Sequence, residues 1–187
     1  QDVDAFVRSC IVCQKVKFDR QKAPGLLQPL PIPNRPWESI AMDFIFDLPR
    51  TPTGSDGIWT IICRFSKQAH FIPVRKKIKP EHMVKIFMYN VFKYHGMPQS
   101  IVSDRDPRMT SLFWKALFEN MGTTLKFSSS FHPQTDGQSE EANSTVLDLL
   151  KCYVSEHKTT WEHYLPLVEY AYNNTVHTST GKAPFEI

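Results

Sequence analysis

The sequence lacks the run of eighteen or more apolar residues that a membrane-spanning helix requires. Its start lacks the charged, apolar and small-residue pattern of a secretory leader, so we expect a soluble intracellular protein without a membrane partner. It also has no internal repeat and no low-complexity tract. At 187 residues with 41% hydrophobic side chains, the chain is long enough for one compact domain and a short appendage, but hardly for two full domains.

Net charge is also scarce, at +3, which by itself does not indicate a nucleic-acid partner. Its distribution is uneven, because residues 1–37 contain six Lys and Arg against three Asp and Glu, whereas residues 38–187 contain sixteen of each. All of the net charge therefore belongs to the N-terminal segment, which is basic and rich in proline, as is typical of an extended linker. We predict a boundary between an arm, residues 1–36, and a main domain, residues 37–187.

The apolar pattern of the main domain predicts an α/β fold, with a mixed sheet flanked by helices. Three segments rich in β-branched and aromatic residues are expected to form an antiparallel meander, and two shorter strands follow later in the chain. The predicted strands are Ser39–Leu48, Ile58–Phe65, Ala69–Val74, Ser100–Ser103 and Thr124–Ser128. The predicted helices are Leu112–Met121, Gln138–Ser155, Trp161–Asn174 and one that begins at Pro80 and ends before Gly96.

Three carboxylates occupy positions within or at the ends of these elements. Asp43 lies inside an otherwise apolar strand, where an ionised side chain is costly unless it is paired or binds a cation. Asp104 follows a strand, and Glu140 lies in the first turn of a helix. Each has a structural explanation on its own: a salt bridge at a strand edge for Asp43, a turn for Asp104, and a favourable helix-dipole position for Glu140.

The three carboxylates together are more informative, since a central strand, the tip of its neighbour and the start of a nearby helix can converge at one edge of a sheet. Mg²⁺ takes oxygen ligands in near-octahedral geometry, and it is usually bound by a few carboxylates, water and phosphate oxygens. Two such ions, roughly 3.5–4 Å apart, can activate an attacking oxygen and stabilise a leaving one. The set therefore predicts phosphoryl transfer that needs no Cys, Ser or His nucleophile.

The sequence resembles the integrases of gypsy-type long-terminal-repeat retrotransposons and, more distantly, retroviral integrases. Thirty-five residues separate Asp104 from Glu140, as in the Asp, Asp-35-Glu triad of that family. The matching segments are Met42–Phe44, Ala69–Pro73, Ser103–Arg108, His132–Glu140, Ala171–Asn173 and Gly181–Glu186. The resemblance spans nearly the whole chain, and it is most specific from His132 to Glu140.

This resemblance implies a ribonuclease-H-like fold with a five-stranded mixed sheet, in which Asp43, Asp104 and Glu140 bind Mg²⁺ or Mn²⁺ and carry out catalysis. It implies DNA integration, in which water cuts a phosphodiester near the end of the element's DNA and the freed 3′-hydroxyl attacks a target strand. The implied partners are double-stranded DNA and further copies of the chain, in a nuclear multimer. Two alternatives stay open: a domesticated copy that binds DNA or protein without catalysis, and a nuclease of the same fold that does not join.

The same match selects candidate DNA contacts in the helix that carries Glu140. They are Gln138, Asn143, Ser144 and Lys151. At about 100° per residue, Ser144, Leu147 and Lys151 lie within roughly 40° of Glu140, so we expect this stripe to meet DNA, with Lys151 reaching a phosphate. The family commonly has arginine where this chain has Glu141 and Ser144, which puts the DNA affinity in doubt without changing the metal site.

Cysteines are few, and two of the four form a C-x2-C pair, Cys10 and Cys13. In a reducing compartment such a pair indicates a metal before a disulfide. It matches the cysteine half of the family's His-His-Cys-Cys zinc module, but no histidine precedes His70. We therefore expect the chain to begin inside that module and Zn²⁺ to bind only a longer chain, with two idle thiols as the alternative. Cys63 and Cys152 are predicted to be buried.

Two basic clusters offer contacts to DNA phosphates, with solvated surface charge as the alternative for each. The first is Lys15, Lys17, Arg20 and Lys22 in the arm, and the second is Arg75, Lys76, Lys77 and Lys79. We favour phosphate contact for the arm, because it contains the entire net charge. For the second cluster the sequence favours neither interpretation.

Overall fold

Five strands form a single mixed sheet, in the order β3-β2-β1-β4-β5. The computed structural model describes residues 2–11, 32–104, 106–127, 137–153 and 158–187. The strands are β1 (Ser39–Ile45), β2 (Gly57–Cys63), β3 (Ala69–Val74), β4 (Ser100–Ser103) and β5 (Thr124–Phe127). β2 pairs antiparallel with β1 and β3, whereas β4 pairs parallel with β1 and β5, which confirms the predicted meander and mixed sheet. β1 and β2 end earlier than predicted, and the turns that follow them contain residues with positive φ, Asp47 (63°) and Lys67 (66°).

Helices cover both faces of the sheet. The helices that do so are α2 (Pro80–Phe87), α3 (Leu112–Asn120), α4 (Gly137–Tyr153) and α5 (Trp161–Asn173), whereas α1 (Asp2–Ser9) precedes the sheet in the chain. α2 continues through a π-helical turn, Met88–Phe92, and a last turn, Lys93–His95, and then ends at Gly96, whose φ of 75° suits a residue without Cβ. None of the described helices is long and apolar enough to cross a membrane.

Two apolar cores lie on opposite faces of the sheet, because side chains alternate along each strand. On β2, Trp59 and Ile61 belong to the first core, whereas Ile58 and Ile62 belong to the second. α2 and α3 cover the first core, and α4 and α5 cover the second. Every residue of β2 is buried, as is expected for a strand that is covered on both faces.

The burial of the two later cysteines differs. Cys63 is buried in β2, as predicted, but Cys152 is exposed, so that prediction was wrong. Among the described side chains of α4, those of Ala142, Val146 and Leu150 are buried, and they recur every four residues on one face. Cys152 follows Leu150 by two residues, or about 200° around the helix, and therefore lies on the side away from the sheet.

Candidate active site

Asp43 and Asp104 are neighbours on one face of the sheet. In the parallel pair of β1 and β4, Met42 is aligned with Ser103, so the residues that follow them, Asp43 and Asp104, lie side by side. Asp43 shares the orientation of Ile45, which packs in the second core, so both carboxylates are on the face that α4 covers. Each residue is half-buried. The structure thus brings these two predicted residues together at the carboxyl ends of β1 and β4.

The loop that begins at Asp104 is shaped by Asp106 and Arg108. The backbone N–H of Asp106 donates to Oδ1 of Asp104 at 3.0 Å. The Asp106 carboxylate accepts from the backbone N–H of Arg108 at 2.8 Å, from its Nε at 2.6 Å and from its Nη2. Burial raises the pKa of Asp104, and the charge of Asp106 adds to this, whereas the Asp106 N–H and the charge of Arg108 oppose it. A bound cation would favour the charged form of this desolvated carboxylate.

Arg108 also fastens this loop to the neighbouring strands. Its guanidinium carbon lies 4.5 Å and 4.1 Å from the ring centroids of Phe44 and Phe46, and its Nη1 donates to the backbone oxygen of Lys76 at 2.9 Å. The Arg108 and Asp106 side chains are only 17% and 12% exposed. A planar guanidinium can chelate a carboxylate and stack on rings at once, which an ammonium cannot. Arg108 was part of a matching segment, but nothing in the sequence indicated that it joins these three parts of the chain.

Asn143 connects α4 to the carboxylates. Its Nδ2 donates to Oδ2 of Asp43 at 2.6 Å, although the two residues are 100 positions apart. The adjacent Ala142 and the next turn's Val146 are buried against the sheet. Glu140 lies in the first turn of α4, three residues before Asn143, which places the two residues on the same side of the helix. The side chain of Glu140 lies outside the described part of the structure.

Two buried polar atoms beside Asp43 fit a hydrated cation. Oδ1 of Asn143 and Oγ1 of Thr60 have no hydrogen-bond partner among the described residues. Thr60 lies directly opposite Asp43 in the β1–β2 pair, and nothing in the apolar pattern of β2 singled it out. Divalent Mg²⁺ and Mn²⁺ prefer carboxylate oxygens and keep bound waters, which donate to such acceptors. Among the described side chains, which do not include that of Glu140, no group of three His, Cys, Asp or Glu could hold a metal ion.

The predicted DNA-facing stripe of α4 is divided in the structure. Ser144 and Lys151 are exposed, and Nζ of Lys151 lies 3.1 Å from Oδ1 of Asp148. Leu147 is instead partly buried against the second core. The side chain of Gln138 lies outside the described part of the structure. Contact of Ser144 and Lys151 with DNA stays a prediction.

Most of the candidate residues of the arm lie outside the described residues. These are Cys13, Lys15, Lys17, Arg20 and Lys22. Cys10 is described and is partly exposed; it follows α1, where its backbone N–H donates to the carbonyl oxygen of Phe6 at 2.9 Å. The zinc site and the DNA contacts of the arm therefore stay predictions.

Known proteins resemble this chain in sequence. No protein-family model matches it. The chain is 40% identical over 187 residues to the transposon Tf2-3 and Tf2-4 polyproteins of Schizosaccharomyces pombe (strain 972). All of the chain takes part in this match, and it spans 14% of the length of each polyprotein.

Solved structures resemble the chain in fold. A chain of the simian T-cell lymphotropic virus intasome, in complex with PP2A regulatory subunit B56 gamma, has a TM-score of 0.69 at 18% identity, covering 99% of this chain and 65% of that one. The HTLV-2 integrase catalytic core domain in complex with magnesium has a TM-score of 0.64 at 16% identity, covering 88% and 99%. These likenesses establish the predicted ribonuclease-H-like fold. The chain is thus similar over its full length to a segment of retrotransposon polyproteins, and it shares its fold with retroviral integrase catalytic cores.

Proposed function

We propose that this chain is the catalytic core of an integrase that processes the 3′ ends of element DNA and transfers them into target DNA. The full-length similarity to retrotransposon polyproteins and the shared fold with integrase catalytic cores support DNA integration as the class of reaction. The observation that carries the proposal is the side-by-side position of Asp43 and Asp104, with the Asn143–Asp43 hydrogen bond drawing the first turn of α4 to the same place. That turn contains Glu140.

In this proposal Asp43 and Asp104 would hold one divalent ion, and Asp43 and Glu140 would hold a second. Mg²⁺ or Mn²⁺ held by these carboxylates would supply activation of the attacking oxygen and stabilisation of the leaving oxygen in an in-line displacement. In processing, water attacks phosphorus, the bond to the 3′-oxygen breaks, and a 3′-hydroxyl is freed. In strand transfer, that hydroxyl attacks a target phosphorus, joins to it and releases a target 3′-hydroxyl.

The remaining residues of the site position these carboxylates. Asn143 orients Asp43 through a 2.6 Å hydrogen bond, which fixes one of its two oxygens. Asp106 directs its N–H to Asp104, and Arg108 in turn binds Asp106. Groups held this way need little rearrangement when substrate arrives, which is the main protein contribution to phosphoryl transfer.

We further propose that the chain acts as a homo-oligomer on double-stranded DNA in the nucleus. Its solved structural neighbours include dimeric and trimeric forms of the HTLV-2 core and a viral intasome, which supports an assembly of several copies. Zn²⁺ would bind Cys10 and Cys13 only when a histidine pair is supplied upstream. The arm's lysines and arginine would add phosphate contacts.

The test compares the parent protein with Asp43→Asn, Asp104→Asn and Glu140→Gln in strand transfer on a labelled DNA duplex with Mg²⁺ or Mn²⁺. Each variant should lose activity and keep most of its DNA binding, because one carboxylate fewer leaves the ions with too few anionic ligands. Asp148→Asn, on the same helix and with the same charge change, should stay active. Retained strand transfer in any one of the three variants would remove that residue from the triad.

Two results would replace the proposal. A parent protein that binds DNA but neither cuts nor joins it would support a domesticated, non-catalytic binding module. A parent protein that cuts without joining would support a nuclease of the same fold.

A further inference from the structure

A groove lined by basic side chains runs beside the edge strand β3 and encloses about 620 Å³. Its basic side chains are Arg75, Lys77, Lys79, His82 and Lys85, all of them exposed. We call it the basic groove. The first three follow β3 in the chain, whereas His82 and Lys85 lie in the first and second turns of α2. The fold thus adds two residues that the sequence did not group with the second basic cluster.

Lys76, by contrast, is directed away from the basic groove. Its Nζ lies 2.6 Å from Oδ1 of Asp47, and both side chains are largely exposed. Residues on either side of it, Arg75 and Lys77, line the groove. The structure therefore divides the second basic cluster into Lys76, which pairs with Asp47, and three residues that line the basic groove.

The acidic residue that lines the basic groove, Glu162, contributes one negative charge against the four positive charges of Arg75 and the three lysines. Its Oε2 accepts from the hydroxyl of Thr51 at 2.8 Å and from that of Thr53. Within the described part of the chain, Lys77, Lys79 and Lys85 form no ion pair. The Arg75 guanidinium donates one hydrogen bond, to the carbonyl oxygen of Thr53 at 2.8 Å, and has further donors to offer. The positive charge of the groove is therefore available to an anionic ligand.

The position of the basic groove relates it to the carboxylates. β3 runs in the same direction as β1, since both pair antiparallel with β2, so Arg75 follows β3 at the sheet end where Asp104 follows β4. Two strand spacings, about 10 Å, separate β3 from β1 across the sheet. Phe71 is the β3 residue level with Thr60 and Asp43, so Arg75 lies four residues, about 13 Å, further along, and about 17 Å from Asp43 in all. Arg108 also joins the Asp104 loop to the segment after β3 through the Lys76 carbonyl. At a rise of about 3.4 Å per nucleotide, this separation corresponds to about five nucleotides of a duplex.

We propose that the basic groove binds the phosphate backbone of duplex DNA a few nucleotides from the phosphate that lies at the carboxylates. This inference rests on the proposed function for the identity of the ligand, and it adds a binding site to it. Lys77, Lys79 and Lys85 supply the main phosphate contacts, and the N-terminus of α2 adds its partial positive charge. Such contacts set the register of the DNA on the protein without reading its sequence.

The test removes three lysines from the basic groove and three from elsewhere. Lys77→Ala, Lys79→Ala and Lys85→Ala are combined in one variant, the groove variant. The control variant combines Lys93→Ala, Lys126→Ala and Lys182→Ala, which are exposed and lie at the far end of the α2 continuation, on β5 and after α5. Both variants lose three positive charges, so a difference between them reports position and not net charge.

The measurement is the DNA dissociation constant over a range of salt concentrations, for the parent protein and both variants, with thermal melting to confirm folding. The slope of log affinity against log salt should become shallower by about one for each phosphate that the protein no longer binds, so by about three in the groove variant. The control variant should keep the parental slope. Equal slopes in the two variants overturn the proposal.

Two further outcomes separate this inference from the proposed function and from a protein ligand. If the parent protein performs no strand transfer but only the groove variant loses salt-dependent DNA binding, the basic groove is a DNA-binding site and the catalytic proposal fails. If strand transfer is normal and the two variants bind DNA alike, the basic groove is not a DNA-binding site and the catalytic proposal is unaffected. A groove variant that changes sedimentation coefficient but keeps the parental DNA slope assigns the groove to contact between copies of the chain and overturns the proposal.

Discussion

Asn143 donates to the carboxylate of Asp43 at 2.6 Å, so α4 and β1 meet at the candidate site although the two residues are 100 positions apart. The other polar atom of the same amide, Oδ1, is buried and has no partner among the described residues. One side chain therefore both orients a carboxylate and presents an acceptor beside it, and substitution can measure the importance of this double role.

Replacing Asn143 by alanine should lower strand-transfer activity by roughly 10- to 100-fold, which is the usual effect of removing a partner that orients a metal ligand. The concentration of Mg²⁺ needed for half-maximal activity should rise as well, because Asp43 is no longer held in place. Asn174→Ala, the same substitution at an exposed position directly after α5, is the matched control and should behave like the parent protein. An Asn143→Ala protein with parental activity and metal dependence would rule out this role.

A divalent cation that binds at Asp104 should increase the stability of the folded protein. Since burial raises the pKa of this carboxyl above 3.8, its charged form is disfavoured in the folded protein, and a bound cation relieves that penalty. Mg²⁺ or Mn²⁺ should therefore raise the melting temperature of the parent protein. Asp104→Asn should melt higher than the parent in EDTA and gain less from the metal, whereas Asp148→Asn should respond to metal as the parent does. Identical metal responses in all three proteins would contradict the prediction.

Arg108→Lys should destabilise the protein by about 1–3 kcal/mol, because Asp106 keeps a largely buried charge but loses a planar, bidentate partner. Urea unfolding measures this change. If the loss comes from the unpaired carboxylate, then Asp106→Asn combined with Arg108→Lys should cost less than the sum of the two single changes. Simple additivity would mean that the contact with Asp106 is not the cause.

His70 and His95 form a pair near the start of β3, apart from the carboxylates. Their Nε2 atoms lie 2.9 Å apart, and Nδ1 of His70 donates to Oε1 of Glu169 at 3.0 Å, since a carboxylate only accepts. Trp37 stacks on His95, with ring centroids 3.6 Å apart and planes inclined by 7°. Burial, followed by the nearby charge of His70, lowers the pKa of His95 from 6.5 to about 4.

This depressed pKa predicts the pH dependence of stability. Between about pH 4 and pH 6.5 the unfolded chain binds more protons at His95 than the folded one, so the free energy of unfolding should fall as pH is lowered through that window. Urea unfolding across the window, on the parent protein and His95→Gln, isolates this part of the dependence. His163→Gln, at an exposed position, should keep the parental dependence. If the free energy of unfolding of His95→Gln and of the parent protein falls equally across this pH window, His95 is not the cause of the fall.

The strands, the helices and the first candidates for the site were within reach of the sequence, because each depends on local patterns. The alternation along β2 and the four-residue recurrence of Ala142, Val146 and Leu150 arise from the geometry of a strand and a helix. An aspartate within the apolar β1 is visible without any partner. The placement of the three carboxylates on elements that can converge at one sheet edge grouped Asp104 and Glu140 with Asp43, and the resemblance matched the spacing between Asp104 and Glu140.

Only the tertiary structure decided which side chains meet. The hydrogen bond from Asn143 to Asp43, the position of the Thr60 hydroxyl beside that carboxylate, and the path of Arg108 to the Lys76 carbonyl all join segments that are far apart in the chain. The basic groove likewise combines residues from the end of β3 and from α2, whereas the side chain of Lys76 contacts Asp47 outside the groove. A sequence determines the period and polarity of each element, but the register between strands and the rotation of each helix against the sheet depend on how the cores pack, and these set every distance at the site.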